Sequence, residues 1–381
     1  MRAPAIFLLC LAPLWAQRTL EYDRSVVSQV RIDARDLGYP PVDVIPSGES
    51  AIHALAVGPD GLVYGATGGR RSHLFLLNPL HGYVQPLGFL PGVSTMYRSL
   101  VVARNGEVYI GGGDAGGHLW KYTPHQDDAK PIRVNAPLEV TDLGVPVPGE
   151  AVYCLAVDRE REFIYGVSYP NGQFFHYSMR AAKFAVDGKL AEHRIPGEKF
   201  EQEKNIGREL GLDLDGNVYA SGENGALFRF ILPTASLQKL DLTAPTALGR
   251  EPYNRVDAWT RDADGLLYGG TSDGYLFRLN PKTLKLENLG KPLNQYRIRG
   301  LAFARNGKLY GVGGDSDEMA RLFSYDPTRG AYEMLGMIDV NRRPYYAWQA
   351  YVIDALAAGA DGTIYLGESE RRSRLYLYYP E

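Results

Sequence analysis

One phrase recurs along the chain, and it leaves few folds open. "IHALAVGPDGLVYGATGG" at residues 52–69 returns as "GLAFARNGKLYGVGG" at 300–314 and as "DALAAGADGTIYLGE" at 354–368. Aligned on the tyrosine after each hairpin turn, there are seven copies, anchored at Tyr64, Tyr109, Tyr165, Tyr219, Tyr268, Tyr310 and Tyr365. The spacing of 42 to 56 residues is in or near the length of one four-stranded propeller blade. Each copy reads as an apolar strand, a turn whose glycine supplies a positive φ, and a second strand. A third strand follows with an aromatic column: Phe75, Trp120, Phe175, Phe228, Phe277, Phe323 and Tyr376. A fourth often ends in Leu-Gly. The prediction is an all-β, seven-bladed β-propeller.

The seventh copy ends at "RLYLYYPE" without a fourth strand. "VRIDARDLG", residues 30–38, has the missing pattern, so the N-terminal strand is expected to complete the last blade and close the ring. The expected organisation is a signal peptide at 1–16, a lead segment at 17–28 and the propeller at 29–381. "MRAPAIFLLCLAPLWAQ" has one arginine and then an apolar run too short to span a bilayer. Cleavage after Ala16 and a secreted or periplasmic location are expected. Lipidation at Cys10 is the weaker alternative, because Leu9 is too large for the usual lipobox. Cys154 would then be the lone cysteine, a small core residue with no disulfide.

Net charge is -3, and no block of Lys or Arg occurs. Nucleic acid is therefore excluded as an expected partner. No later segment is apolar for long enough to span a membrane, and a monomer is expected.

The inner strand of each blade shows where chemistry would gather. Its first residues are His53, Arg98, Tyr153, Arg208, Asp257, Arg299 and Asp354, all polar. The next register is small (Ala54, Ser99, Cys154, Ala258, Gly300, Ala355) except for Glu209. The one after is Leu55, Leu100, Leu155, Leu210, Trp259, Leu301 and Leu356, expected to pack between blades. The polar register should rim one mouth of the central channel. Solvation accounts for polar residues at a mouth, but not for arginine at three of seven positions. His73 and His118 begin third strands on neighbouring blades, and a cluster with His53 is expected. Arg70, Arg71, Arg255, Arg297, Arg371 and Arg372 add cations, and Tyr97, Tyr253 and Tyr296 precede inner strands.

Arginine suits planar carboxylates and sulfates, so the expected ligand is an anionic, uronate-containing saccharide. A β-elimination on a uronate needs a cation on the carboxylate, a base for the adjacent proton and an acid for the leaving oxygen. The candidates are His53 or His118 as base and Tyr153 as acid, with Arg208 and Arg98 on the carboxylate. Glu209 would orient an arginine or bind a hydroxyl. His73, Tyr253, Asp257, Arg299 and Asp354 complete the expected substrate-binding set. This mechanism requires no cofactor, and a divalent cation stays open without a short His-x-His spacing to support it. "GGGDAGG" (111–117) reads as a blade turn rather than a phosphate loop. "DLDGN" (213–217) lacks the downstream Glu of a calcium loop, and "DSDE" (315–318) reads as a solvated loop.

With these residues the chain resembles seven-bladed propeller polysaccharide lyases, such as ulvan lyases and related rhamnose–glucuronate lyases. The matching positions are His53, His73, Tyr153 and Arg208. The resemblance implies His, Tyr and Arg acting on a uronic acid at one propeller face. "GPDGLVY" also resembles the blade phrase of virginiamycin B lyase-like propellers, which implies ring opening of a cyclic ester by elimination with a His and a magnesium ion. The non-enzyme alternative is a secreted glycan- or protein-binding propeller.

Overall fold

The computed structural model describes residues 32–37, 45–82, 84–114, 116–124, 134–193, 205–315, 318–342, 346–370 and 373–381. The expected signal peptide and lead segment lie outside them, as do Arg371 and Arg372. Seven four-stranded antiparallel sheets form the propeller. The first consists of Ala51–Val57, Val63–Gly68, His73–Leu77 and Val84–Phe89 in consecutive order. The last joins Ile353–Ala358, Ile364–Glu368 and Arg374–Tyr378 to Ile32–Asp36 from the other end of the sequence. Ile32 pairs with Tyr378 and Asp36 with Arg374, so the ring closes as the sequence predicts. No α-helix occurs among the described residues, and no helix is long and apolar enough to cross a membrane.

The recurrent Tyr-Gly has a packing cause. All seven anchor tyrosines are buried. In four blades the glycine after the tyrosine pairs with the aromatic of the third strand: Gly65 with Phe75, Gly166 with Phe175, Gly269 with Phe277, and Gly311 with Phe323. A Cβ on Gly65 would come within 2.0 Å of the Phe75 ring. The ring lies directly on the backbone, and only glycine leaves it room.

The link from the sixth blade to the seventh holds an unanticipated hairpin, Asp339–Arg342 with Tyr346–Gln349. Its base is pinned to the sixth blade, where Ala320 N donates to Ala350 O at 2.9 Å and Ile338 N to Ala320 O at 3.1 Å. This insertion accounts for the long spacing from Tyr310 to Tyr365.

At the axis, the inner strands converge. Ala54, Gly300 and Ala355, with Leu55, Leu100, Leu155 and Leu356, line an axial cavity of about 60 Å³. These leucines therefore border the channel as well as the blade seams.

Candidate functional site

The polar register is displaced from the strand ladder by bulges. In five blades the pairing slips by one residue at this register, between Ile52 and Ala54, Val152 and Cys154, Val256 and Ala258, Ile298 and Gly300, and Ile353 and Ala355. The extra residue is His53, Tyr153, Asp257, Arg299 or Asp354. A bulge frees that residue from strict alternation and re-aims its side chain. Its neighbours, such as Ile52 and Ala54, stay buried. In the second and fourth blades Arg98 and Arg208 precede the paired residues Leu100–Val102 and Gly211–Leu212.

The result is a pocket of about 360 Å³ at one mouth of the channel. Its walls include His53, Arg98, Tyr153, Arg208 and Asp354 from the predicted set. Tyr97 and the segment Ser94–Met96 complete one side, and Gly68 and Gly69 another. His53 Nδ1 lies 3.4 Å from an Asp354 carboxylate oxygen. Its ring rests on Gly68, where a Cβ would meet Cδ2 at 3.0 Å and Nε2 at 3.2 Å. Arg208 Nε donates to the Tyr153 hydroxyl oxygen at 3.1 Å, which leaves the phenolic proton available to another acceptor. Tyr153 is stacked on Tyr169 and edge-on to Tyr97, with centroids 5.2 and 5.0 Å away. Burial pushes the Tyr97 hydroxyl up to about 12, so it stays protonated.

Beneath the pocket, an ion network fixes the arginines. Burial would raise the Asp354 carboxyl, but a hydrogen bond from His53 and the charges of Arg299 and Arg208 hold it well below the usual range. Arg299 Nη1 donates to Asp354 at 2.6 Å, and Arg208 Nη1 is 3.8 Å from the same carboxylate. Asp257, fully buried, is likewise held ionised against burial by Arg255 at 2.8 Å and Arg297 at 3.0 Å. Arg98 crosses the axis and donates to the main-chain carbonyls of Asp257 and Arg299. Glu209, the exception in the small register, accepts from Trp259 N at 2.9 Å and faces Arg98 Nη1 at 3.7 Å. Burial raises its carboxyl to about 7 despite Arg98 and the Trp259 N–H. About a third of its side chain is exposed, and it lines the axial cavity. The five arginines 98, 208, 255, 297 and 299 outnumber the four carboxylates Glu209, Asp257, Asp315 and Asp354. Asp114, which accepts from Ser94 N at 2.8 Å at the pocket wall, brings the carboxylates level with the arginines.

Other predicted residues lie elsewhere. His118 lines a separate recess of about 350 Å³, with Nδ1 2.9 Å from Asp142 and its ring stacked on Trp120 at 5.6 Å. His73 is wholly buried, with Nε2 2.7 Å from Glu49. Burial lowers its pKa despite that carboxylate. The expected three-histidine cluster is therefore not gathered at one pocket. Asp257 and Arg299 support the floor without lining the pocket, and Tyr253 is exposed beside Arg250. Cys154 is fully buried, and burial pushes its thiol up. Sequence reasoning missed Ser94–Met96 and Gly68, because a loop's path to the axis has no periodic signature.

Among the described residues no three His, Cys, Asp or Glu side chains gather as metal ligands. The chemistry of the mouth does not fit a magnesium ion, since Asp257 and Asp354 are each bound by arginines.

No protein-family model matches the sequence, and no curated protein matches it. Solved structures do match in shape. A catalytically inactive virginiamycin B lyase from Staphylococcus aureus, crystallised with quinupristin, superposes with a TM-score of 0.64 at 13% identity. The match covers 92% of this chain and 100% of that one. The extracellular domain of a putative hybrid two component system from B. thetaiotaomicron gives 0.58 at 18% identity, over 91% of this chain and 39% of that one. A chain of the mitotic checkpoint complex gives 0.60 at 15% identity, over 100% and 99%. These proteins share the propeller fold with this chain. At such identities the likeness extends to the fold alone.

Proposed function

We propose that the axial pocket carries out a β-elimination on a uronate-containing saccharide of the rhamnose–uronate type, and that the protein is a secreted polysaccharide lyase. The observation that carries this reading is one pocket lined by an oriented imidazole, a phenol and an arginine bonded to that phenol. Arg208 neutralises the uronate carboxylate, which makes the C5–H acidic. His53, with Asp354 behind Nδ1, takes that proton at Nε2. The electron pair forms the C4–C5 double bond as the C4–O bond breaks, and Tyr153 gives its proton to the departing oxygen. His118, in its own recess, leaves His53 as the base. A pocket near the lower end of the roughly 300–1,000 Å³ range of small-molecule sites holds a sugar unit or two of a longer chain. A second reading draws on the Staphylococcus aureus neighbour, itself a lyase by name: elimination on a small cyclic ester with the same His53.

The test is to incubate the purified protein with a panel of polysaccharides, including ulvan and other rhamnose–uronate polymers. Ultraviolet absorbance from an unsaturated uronate, lost in His53→Ala and Arg208→Ala, is the expected result. No absorbance with any uronic polymer would sink the lyase reading, and retention on a glycan column would then point to a binding propeller.

A further inference from the structure

On the same face, a second set of side chains alternates rings and cations across the fifth and sixth blades. Arg250 Cζ lies 5.9 Å from the Tyr253 ring and 5.1 Å from the Tyr296 ring. Lys291 Nζ lies 5.2 Å from the Tyr296 ring and 5.4 Å from the Tyr275 ring. The order along this ladder is Tyr253, Arg250, Tyr296, Lys291, Tyr275. Tyr253 and Tyr296 are 39% and 49% exposed, so part of each ring is open to solvent.

The face assignment follows from chain direction. Tyr253 and Tyr296 each stand two or fewer residues before Arg255 and Arg297, whose guanidinia bond Asp257 at the mouth. The blades that carry them face the pocket across the axis, because Arg98 spans from the second blade to the carbonyls of Asp257 and Arg299.

Arg250 is ion-paired to a buried carboxylate, whereas Lys291 carries the uncompensated charge of the ladder. Arg250 gives its Nε to the buried Asp273 at 2.6 Å, which leaves its two terminal nitrogens toward solvent and the rings. Lys291 has its Cε above Gly274, where a Cβ would come within 3.2 Å. Among the described residues no carboxylate stands within ion-pair distance of it. A ring on each side limits the rotamers of two long side chains, so less entropy is lost when they bind an anion.

We infer that this ladder is a distal subsite that binds the carboxylates or sulfates of an anionic saccharide chain whose reacting unit occupies the axial pocket. The inference rests on reading that pocket as a uronate site. The Lys291 ammonium, seated between the Tyr275 and Tyr296 rings, suits an anionic saccharide, whose carboxylates or sulfates complement its charge while its sugar faces cover the exposed tyrosines.

Affinity electrophoresis in native gels cast with ulvan, polygalacturonate or neutral dextran tests it, with elimination measured separately. Retardation by the anionic polymers but not dextran is expected. Tyr296→Ala and Lys291→Glu, both at exposed positions, should each weaken it about fivefold or more. Rates on a short oligosaccharide confined to the pocket should stay unchanged. Unaltered retardation in both variants, or none for the wild type, overturns the ladder. Retardation that depends on the ladder in a protein showing no elimination leaves the ladder standing while the lyase reading falls.

Discussion

His53 Nδ1 sits 3.4 Å from a carboxylate oxygen of Asp354, so the dyad at the pocket is shared between the first blade and the seventh. Ring closure therefore assembles the site as well as the fold. Asp354 fixes which imidazole nitrogen faces the pocket, and it also receives Arg299. Asp354→Asn keeps the shape but removes the charge. It should lower kcat on the uronate substrate by about 10²–10⁴-fold with a smaller effect on KM, as expected for loss of an orienting carboxylate. Thermal stability should fall too, because Arg299 is 5% exposed and loses a buried partner. Steady-state kinetics well below the melting temperature separate the two effects.

Tyr153→Phe removes one oxygen that accepts from Arg208 and would protonate the leaving group. Arg208 remains beside Asp354. The expected loss is about 10²–10⁴-fold in kcat, the usual range for a general acid, with affinity for the polymer kept. Single-turnover elimination and gel retardation measure the two separately. Equal loss of both would make Tyr153 a binding residue only.

The Tyr-Gly phrase makes a prediction about stability. In Gly269→Ala the new Cβ would meet the Phe277 ring at 2.1 Å, and Phe277 is fully buried with no room to move. Destabilisation of about 1–3 kcal/mol or more is expected from such overpacking. Phe277→Leu in the same chain should recover part of it, a coupling that a double-mutant cycle in denaturant unfolding reads directly.

The repeat was legible because each blade solves a local problem with local residues. A turn glycine, a Tyr-Gly and a third-strand aromatic pair across adjacent strands, so their period survives in the sequence. Closure was legible for the same reason: "VRIDARDLG" is a fourth strand without its blade. The convergence of His53, Arg98, Tyr153, Arg208 and Asp354 follows from cyclic symmetry once the inner register is known. His118 did not follow, because register along a strand does not encode distance from the axis. A third strand stands two strand spacings, roughly 10 Å, outside the first. The choice of Asp257 as partner for Arg255 and Arg297, and the approach of Ser94–Met96 to the mouth, depend on how separate loops meet. Those contacts leave no periodic trace.

Glu209 gives the structure a pH dependence with a definite sign. Its carboxyl is raised by burial from the ordinary 4.5 to about 7. Below pH 4.5 it is protonated in both folded and unfolded chains. As pH rises from 4.5 to 7, the unfolded chain ionises while the folded one resists, so this residue's contribution to stability falls through that window and is flat above it. Glutamine at this position can still accept from Trp259 N and carries no charge to desolvate. Glu209→Gln should therefore match the wild type near pH 4.5 and exceed it by about 1–2 kcal/mol at pH 8, allowing for the solvent that reaches the side chain in the channel. Urea unfolding of both proteins across that range checks it. A Glu209→Gln chain less stable than wild type at pH 8 would mean that the ionised carboxylate is needed to hold Arg98 across the axis, and that the pairing outweighs the burial.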